Sequence, residues 1–242
     1  MQKPFWSNDP NIPEFDNIVF ECDKTKVLKE DYNLFDGFNH FENLDKKKQN
    51  LEPLFEHIRS LVNFDNDDFE YVLNWLAQLV QQPETITDTA LIFISEEGIG
   101  KDLFSELIEN TIGDKYYGTT EKLEQVCGRF NSLLGGKLLM VLNETNPIES
   151  SQRLENIKAM ITAKKLEIEE KYKSTIKCRN FCRFIFFSNR SLAFPVEDGS
   201  RRPKIMMGST KYLPMNYGEK ESADHFTKLS NDFKDKYFQY AF

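Results

Sequence analysis

The sequence predicts an α/β fold in which a mostly parallel sheet is flanked by helices and preceded by a small helical segment. Three apolar runs, at 90–94, 137–144 and 184–187, have the length and composition of strands that are buried on both faces. Segments with helical spacing separate the runs, and parallel strands need such crossover connections. Each run ends in polar residues, and ligands of parallel sheets bind beyond the carboxyl ends of the strands.

The composition indicates a folded globular protein. The chain of 242 residues can hold one large domain, or one domain with a smaller appendage, and its 40% apolar content supports a buried core. No apolar run is long enough to span a bilayer and no secretory signal is present, so we expect an intracellular protein without membrane association. Four scattered cysteines favour reduced structural thiols over a metal site.

The charge is acidic on average but uneven along the chain. A net charge of −8 argues against coating nucleic acid by bulk positive charge. Residues 153–183, however, carry nine Lys or Arg against four Glu. The sequence therefore allows two interpretations of this segment: a local basic surface, or an ordinary solvated helix face.

The N-terminal third is predicted to be an irregular lead-in followed by two helices. Residues 1–46 contain three prolines and several turn clusters, with 32–38 as their one compact apolar segment. Apolar residues recur at helical spacing over Lys47–Val62 and over Asp67–Gln81, where Asn66 or Asp67 is the expected N-cap. A boundary within 82–88 then separates two units, 1–85 and 86–242.

Two helical segments follow the first apolar run, and a third follows the second run. The first helix should end near Gly113, and a short polar helix is expected over Thr120–Val126. Ser150 or Ser151 should cap the third helix, which reaches about Met160.

A basic hairpin and a helical tail complete the predicted elements. Alternating apolar residues over Lys165–Lys177, with Tyr172 among them, indicate two strands that turn around Glu170-Lys171. After the third apolar run, a short strand is expected at 205–207 and an amphipathic helix from about Ser222.

The turn after the first apolar run has the character of a phosphate-binding loop. Gly98 and Gly100 allow backbone N–H groups to turn inward, and Lys101 stands where the next helix begins. The full motif has Gly at its first position and Ser or Thr after the lysine, whereas this chain has Ser95 and Asp102. The expected nucleotide-binding residues are Ser95, Glu96, Glu97, Gly98, Ile99, Gly100, Lys101, Asp102 and Leu103.

Polar residues at the ends of the three runs are the groups that phosphoryl transfer needs. Lys101 would neutralise β- and γ-phosphate charge, Glu144 would polarise the attacking water, and Asn189 would orient that water or the γ-phosphate. An arginine, from the same chain or a neighbouring subunit, would complete the set. Each residue alone has an ordinary structural explanation, but the three together, in this order, favour an NTPase.

Five short motifs also occur in a characteristic order. They are Gly98-Ile99-Gly100-Lys101, Leu142-Asn143-Glu144, Ile157–Thr162 with Lys171, Phe187-Ser188-Asn189, and Arg201-Arg202. Upstream stand Tyr32–Phe35 with Gly37, and Trp75–Ala77 with Pro83. The series, over about residues 30–210, resembles the superfamily 3 helicases, and most closely the primase–helicases of phages, virophages and large DNA viruses, including the poxvirus type.

The resemblance implies a P-loop NTPase domain of the AAA+ type that binds ATP and forms a ring, usually a hexamer, around single-stranded DNA. Arg201 or Arg202 would reach into the site of the neighbouring subunit. The family's hairpin corresponds to 164–177, and the lysines expected to contact the DNA backbone are Lys164, Lys171, Lys173 and Lys177. The resemblance also implies a primase domain or protein as a partner. Because the chain stops soon after the arginine pair, it would be either a fragment or a shortened copy.

Two residues depart from the family pattern. Asp102 replaces the usual Ser, Thr or small residue after the lysine, and Asn143 replaces the first acid of the usual acidic pair before Glu144. We hypothesise that Asp102 supplies from across the site the carboxylate that is lost at 143. Asp102, Asn143 and Glu144 would then hold Mg²⁺ together with phosphates and waters.

The leading functional prediction is an ATP-dependent DNA helicase or translocase module for viral or mobile-element replication, in the host cytoplasm or a viral replication compartment. One alternative is a module that binds nucleotide, hydrolyses it poorly and holds a ring on DNA. A less favoured alternative is a P-loop kinase with Arg201-Arg202 in its lid.

Overall fold

The structure, a computed structural model, describes residues 13–38, 50–143, 151–189 and 201–234. In its N-terminal part, two short parallel strands precede two helices: β1 (Asn17–Val19), β2 (Asp31–Asn33), α1 (Glu52–Leu61) and α2 (Asn66–Gln81). The remaining elements are β3 (Ala90–Ile94), α3 (Lys101–Ile112), β4 (Tyr117–Thr120), α4 (Glu124–Cys127), β5 (Leu139–Leu142), α5 (Ser151–Thr162), β6 (Lys165–Ile168), β7 (Ile176–Arg179), β8 (Arg183–Ser188), β9 (Pro203–Met207), α6 (Pro214–Tyr217) and α7 (Glu219–Lys234).

Five strands form one parallel sheet in the order β4-β5-β8-β3-β9. The three apolar runs seen in the sequence are the three inner strands, and every residue of β3, β5 and β8 is buried. Such complete burial is expected when helices cover both faces of a parallel sheet. The fold is therefore α/β with a parallel central sheet, as the sequence predicts.

The edge strand β4 is absent from the sequence-based prediction, which extends a polar helix from Thr120 to Val126 instead. Its sequence Tyr-Gly-Thr-Thr has no apolar run, and only its first two residues are buried. Gly118 is needed for close packing, because a Cβ there would lie 2.6 Å from Met140 Cε on β5. The helix itself is a single turn that begins at Glu124.

The core has two layers, one on each face of the sheet. Along β3, Leu91 and Phe93 face the layer covered by α1, α2 and α3, whereas Ala90, Ile92 and Ile94 face the layer covered by α4, α5 and β6. This alternation is the period of two that an extended strand imposes. Burying each large apolar side chain contributes about 1.5–3 kcal/mol.

The N-terminal helices pack directly on the sheet layer. Leu54 and Ile58 of α1 and Leu76 of α2 belong to the same buried cluster as Phe93 and Phe104. This cluster contains residues of both predicted units, 1–85 and 86–242, and the division between them stays a prediction.

Arg183 joins the end of α2 to the start of β8. Its guanidinium is buried and donates hydrogen bonds to the carbonyls of Gln82 (3.1 Å), Pro83 (3.5 Å) and Thr85. Burial lowers the pKa of Arg183 to about 10, which leaves it charged at neutral pH. The carbonyl oxygens thus compensate a charge that would otherwise be costly to bury.

Helix ends agree with the predictions within a few residues. Helix α3 ends before Gly113, whose N–H donates to Glu109 O at 2.8 Å. The N-cap of α2 is Asp65 rather than the predicted Asn66 or Asp67, because the Asp65 carboxylate accepts from the Asp68 N–H at 2.9 Å. Helix α7 starts earlier than predicted, directly after Gly218.

The hairpin is confirmed, with a correction at its tip. Strands β6 and β7 pair antiparallel from Lys165↔Arg179 to Ile168↔Ile176. Tyr172 does not belong to the apolar alternation: it lies in the turn with φ +66° and its side chain is fully exposed. The Nη1 atom of Arg179 lies 2.7 Å from both carboxylate oxygens of Glu21, and this ion pair connects the hairpin to the lead-in.

Three further observations concern the cysteines, possible metal clusters and possible membrane spans. All four cysteines are free thiols, as predicted. Within the residues that the structure describes, no cluster of His, Cys, Asp and Glu could hold a metal ion on its own. No helix in those same ranges is long and apolar enough to cross a membrane.

Candidate functional site

The loop from β3 to α3 is shaped by two glycines in the left-handed region. Gly98 has φ +82° and Gly100 has φ +92°, values that glycine adopts without steric cost. A Cβ on Gly100 would lie 2.5 Å from His57 Cε1 and 3.0 Å from Phe226 Cε1, so the loop is packed tightly between α1 and α7. It brings the N–H groups at the start of α3 to the carboxyl edge of the sheet.

His57 is a residue of this site that the sequence-based prediction lacks. Its Nε2 lies 3.0 Å from Gly100 O, and since a carbonyl only accepts, Nε2 carries the proton. Burial lowers the pKa of His57 to about 4, so the imidazole is neutral at neutral pH. The available signal was a histidine within the buried stripe of α1, between Leu54 and Ile58.

Lys101 lies at the first position of α3 with its ammonium over the loop. Its Nζ donates to Ser95 Oγ at 3.0 Å, to Ser95 O at 3.2 Å and to Glu96 O at 3.3 Å. These neutral acceptors hold the charge at the mouth of the loop, where the N–H groups of α3 also begin. An anion at this position would meet both.

A cavity of about 500 Å³ lies beyond the carboxyl ends of four neighbouring strands. At least one polar residue after each strand lines the cavity: Lys101 follows β3, Glu121 follows β4, Asn143 follows β5 and Asn189 follows β8. Its volume lies within the usual range of small-molecule sites. Glu121 was missed because the strand that positions it was missed.

Asp102 and Asn143 line the same cavity. Asn143 Nδ2 donates to Thr119 Oγ1 at 3.2 Å, while Asn143 Oδ1 is buried and has no hydrogen-bond partner in the described part of the chain. A buried acceptor without a partner is costly and is a common mark of a functional position. Glu144, the next residue, lies outside the described residues.

The other predicted loop residues differ in whether they line the cavity, are buried or are exposed. Glu97, Gly98 and Leu103 line the cavity, and Glu97 Oε1 accepts from Asn189 Nδ2 at 3.0 Å. Ser95 and Ile99 are buried beneath the loop. Glu96, whose side chain is exposed, contributes its carbonyl to Lys101.

Arg201 and Arg202 lie at the opposite edge of the sheet. The Ala90 N–H donates to Arg202 O at 2.8 Å, which places this pair at the amino end of β3, whereas the loop follows its carboxyl end. At about 3.3 Å per residue, the five residues of β3 separate the two edges by roughly 15 Å. The pair is thus remote from Lys101 of its own chain.

Two of the four predicted DNA-binding lysines are engaged in ion pairs on the hairpin. Lys173 pairs with Glu170 at 2.9 Å and Lys177 with Glu167 at 2.8 Å, and the Glu167 carboxylate raises the pKa of Lys177. Exposed pairs of this kind are weak and exchange readily with other anions. At the tip, the Lys171 ammonium lies 5.4 Å from the centre of the Phe130 ring.

Comparison with known proteins finds similarity to a family of unknown function and to a phage DNA primase-polymerase. Residues 93–202 match a family of unknown function (DUF5906). A DNA primase-polymerase of Nitratiruptor phage NrS-1 is 30% identical over 150 residues, which are 61% of this chain and 21% of the phage protein.

Solved structures of the NrS-1 C-terminal region have the same fold. The A-form apo structure aligns with a TM-score of 0.73 and 23% identity, over 96% of this chain and 55% of that one. A second apo structure, of residues 305–718, gives 0.73 and 24% over 89% and 52%. The chain therefore spans about half of the solved region and about a fifth of the curated relative.

Proposed function

We propose that this chain is the ATP-binding motor of a DNA-replication protein, a superfamily 3-type helicase or translocase module that hydrolyses ATP to move on single-stranded DNA. The observation that carries the proposal is the cavity in which Lys101, Asp102, Asn143 and Asn189 meet beyond the ends of three adjacent strands. The relationship to a phage DNA primase-polymerase supports the link to replication and to a priming partner.

Each group in the cavity has a role in this proposal. A bound polyphosphate would offer Lys101 a charged acceptor beside the oxygens of Ser95 and Glu96, and a charge-assisted hydrogen bond is roughly twice as strong as a neutral one. Asn189, held by Glu97, would orient the γ-phosphate or the attacking water. Glu144 would be the group that polarises that water.

The direct test is steady-state ATP hydrolysis with and without single-stranded DNA. We expect DNA to stimulate turnover, and Lys101→Ala to lower kcat/KM by about 100-fold or more because it removes transition-state charge stabilisation. Lys24→Ala, an exposed lysine of the lead-in, is the matched control. Turnover that is indifferent to Lys101 would contradict the proposal.

The residues present fit Mg²⁺ only in company with a nucleotide. Asn143 Oδ1 is a buried oxygen without a hydrogen-bond partner in the described part of the chain, and Asp102 offers a carboxylate on the same cavity. Oxygen ligands from one or two side chains, completed by phosphates and waters, are what Mg²⁺ prefers. Asp102, Asn143 and Glu144 would hold the ion, which would neutralise phosphate charge.

Paired substitutions test whether Asp102 compensates for Asn143. We expect Asp102→Ser to lower Mg²⁺-dependent turnover and Asn143→Asp to restore it in the double variant, because the carboxylate count is then regained. Full Mg²⁺-dependent activity of Asp102→Ser alone would refute compensation.

A second candidate is a module that binds nucleotide but hydrolyses it poorly. The amide at Asn143, where the family that the sequence resembles has an acid, favours this candidate. Tight ATP binding with no turnover, with or without DNA, would support this candidate over the motor.

The position of the arginine pair supports a ring in this proposal. Because Arg201 and Arg202 lie near the amino end of β3, either arginine would act on the site of an adjacent subunit rather than on its own. We expect a closed oligomer, six subunits by family analogy, when ATP and single-stranded DNA are present. A strict monomer in analytical ultracentrifugation under those conditions would count against both the ring and the motor.

A further inference from the structure

The cavity beside the loop has two chemically unlike walls. Asn143, Asn189 and Glu121 form a polar wall at the strand ends, on the side where the terminal phosphate and its metal would be handled. Leu103 and Phe226, from α3 and α7, form an apolar wall beside the start of α3. Gly100 and Lys101 of the phosphate loop line the same cavity, and Phe226 contacts the Gly100 position.

Phe226 is held firmly in this wall. Its ring edge lies 3.0 Å from the Cβ position of Gly100, and its ring meets that of His225 at 5.1 Å and 76°. His225 in turn stacks on Tyr212 at 4.0 Å, and the Tyr212 hydroxyl donates to Glu56 of α1 at 2.5 Å. The ring is half-buried, so part of it stays open to the cavity.

We propose that Leu103 and Phe226 form a subsite for the nucleobase of the bound nucleotide, with the Phe226 ring stacking on the base. This inference rests on the proposed nucleotide binding and adds the orientation of the ligand. With the polyphosphate on the N–H groups at Gly100 and Lys101, its terminal phosphate points to the polar wall and its nucleoside to the apolar one. Aromatic side chains stack on any base, because every base has a π face.

Calorimetric titration of the full chain with ATP and with inorganic tripolyphosphate separates base recognition from phosphate recognition. Phe226→Leu keeps an apolar side chain but removes the ring. We expect it to weaken ATP binding about tenfold, a typical loss for one base–aromatic stack, and to leave tripolyphosphate binding nearly unchanged. Phe226→Tyr keeps an aromatic ring and should retain the ATP affinity of the unsubstituted protein. Phe130→Leu removes an exposed ring elsewhere and should leave the affinities for ATP and tripolyphosphate unchanged.

The possible outcomes distinguish this inference from the proposal beneath it. Unchanged ATP affinity in Phe226→Leu overturns the subsite, and so does an equal loss for both ligands, which would mean that the loop itself is disturbed. If the unsubstituted protein binds neither ATP nor tripolyphosphate, the proposed nucleotide site fails and the subsite fails with it.

Discussion

Replacing Gly100 by alanine tests the tight packing of the phosphate loop. The new methyl group would lie 2.5 Å from His57 Cε1 and 3.0 Å from Phe226 Cε1. The His57 ring is buried and the Phe226 ring is half-buried, so neither ring can move away freely. At φ +92° alanine also adopts a left-handed backbone, which costs roughly 1–2 kcal/mol. Overpacking adds about 1–3 kcal/mol, so we expect a total loss of about 2–5 kcal/mol.

Gly98→Ala is the matched control, since Gly98 has a similar φ of +82° but its Cβ position is 3.4 Å from Leu213 Cδ2, an ordinary contact. Urea denaturation should show Gly100→Ala less stable than Gly98→Ala by at least about 1 kcal/mol. Adding His57→Ala should recover part of the loss through coupling of neighbours. Equal destabilisation of the two alanine variants would refute the close approach of α1 and α7 to the loop.

Three further predictions concern His57, Tyr172 and Arg183. Because burial holds the folded-state pKa of His57 at about 4, below its ordinary 6.5, the unfolded chain alone gains a proton as pH falls through this interval. The protonation of His57 should therefore lower the free energy of unfolding by roughly 3 kcal/mol between pH 6.5 and pH 4. In His57→Gln, the free energy of unfolding from urea denaturation should depend less steeply on pH. Equal pH dependence in the two proteins would contradict the buried, neutral imidazole. Tyr172→Ala should weaken single-stranded DNA binding about five- to tenfold in fluorescence anisotropy without loss of stability, whereas Tyr32→Ala, another exposed tyrosine, should not; equal affinities would remove the tip from the DNA path. Arg183→Met should cost about 3 kcal/mol in urea denaturation by leaving buried carbonyls without a donor, and a loss below about 1 kcal/mol would mean that these bonds contribute little.

The sequence is most informative where burial is complete. The inner strands β3, β5 and β8 are continuous apolar runs because both of their faces are covered, and such runs are recognisable without a structure. The edge strand β4 has one paired side and polar residues, so Tyr117–Thr120 carries no comparable signal. Because β4 is not predicted from the sequence, Glu121, which follows it, is not predicted as a residue of the cavity either.

The candidate site divides along the same physical line. Lys101, Asn143 and Asn189 follow recognisable strands, so the parallel topology alone brings them to one cavity. His57 and Phe226 reach the loop from helices that are remote in sequence, and only tertiary packing reveals that both rings abut Gly100. The prediction of Tyr172 as a strand residue failed because the alternation of apolar residues continues across the turn by coincidence.

The contacts of His57 and Phe226 with Gly100 determine how the chain can be divided into fragments. One wall of the loop comes from α1, ahead of the sheet, and the other from α7, behind it. A fragment that starts at the predicted boundary, residue 86, would retain the glycines and Lys101 but lose the His57 imidazole that donates to the Gly100 carbonyl. We therefore expect the smallest fragment with a competent phosphate loop to extend from α1 through α7, because residues of both helices contact Gly100.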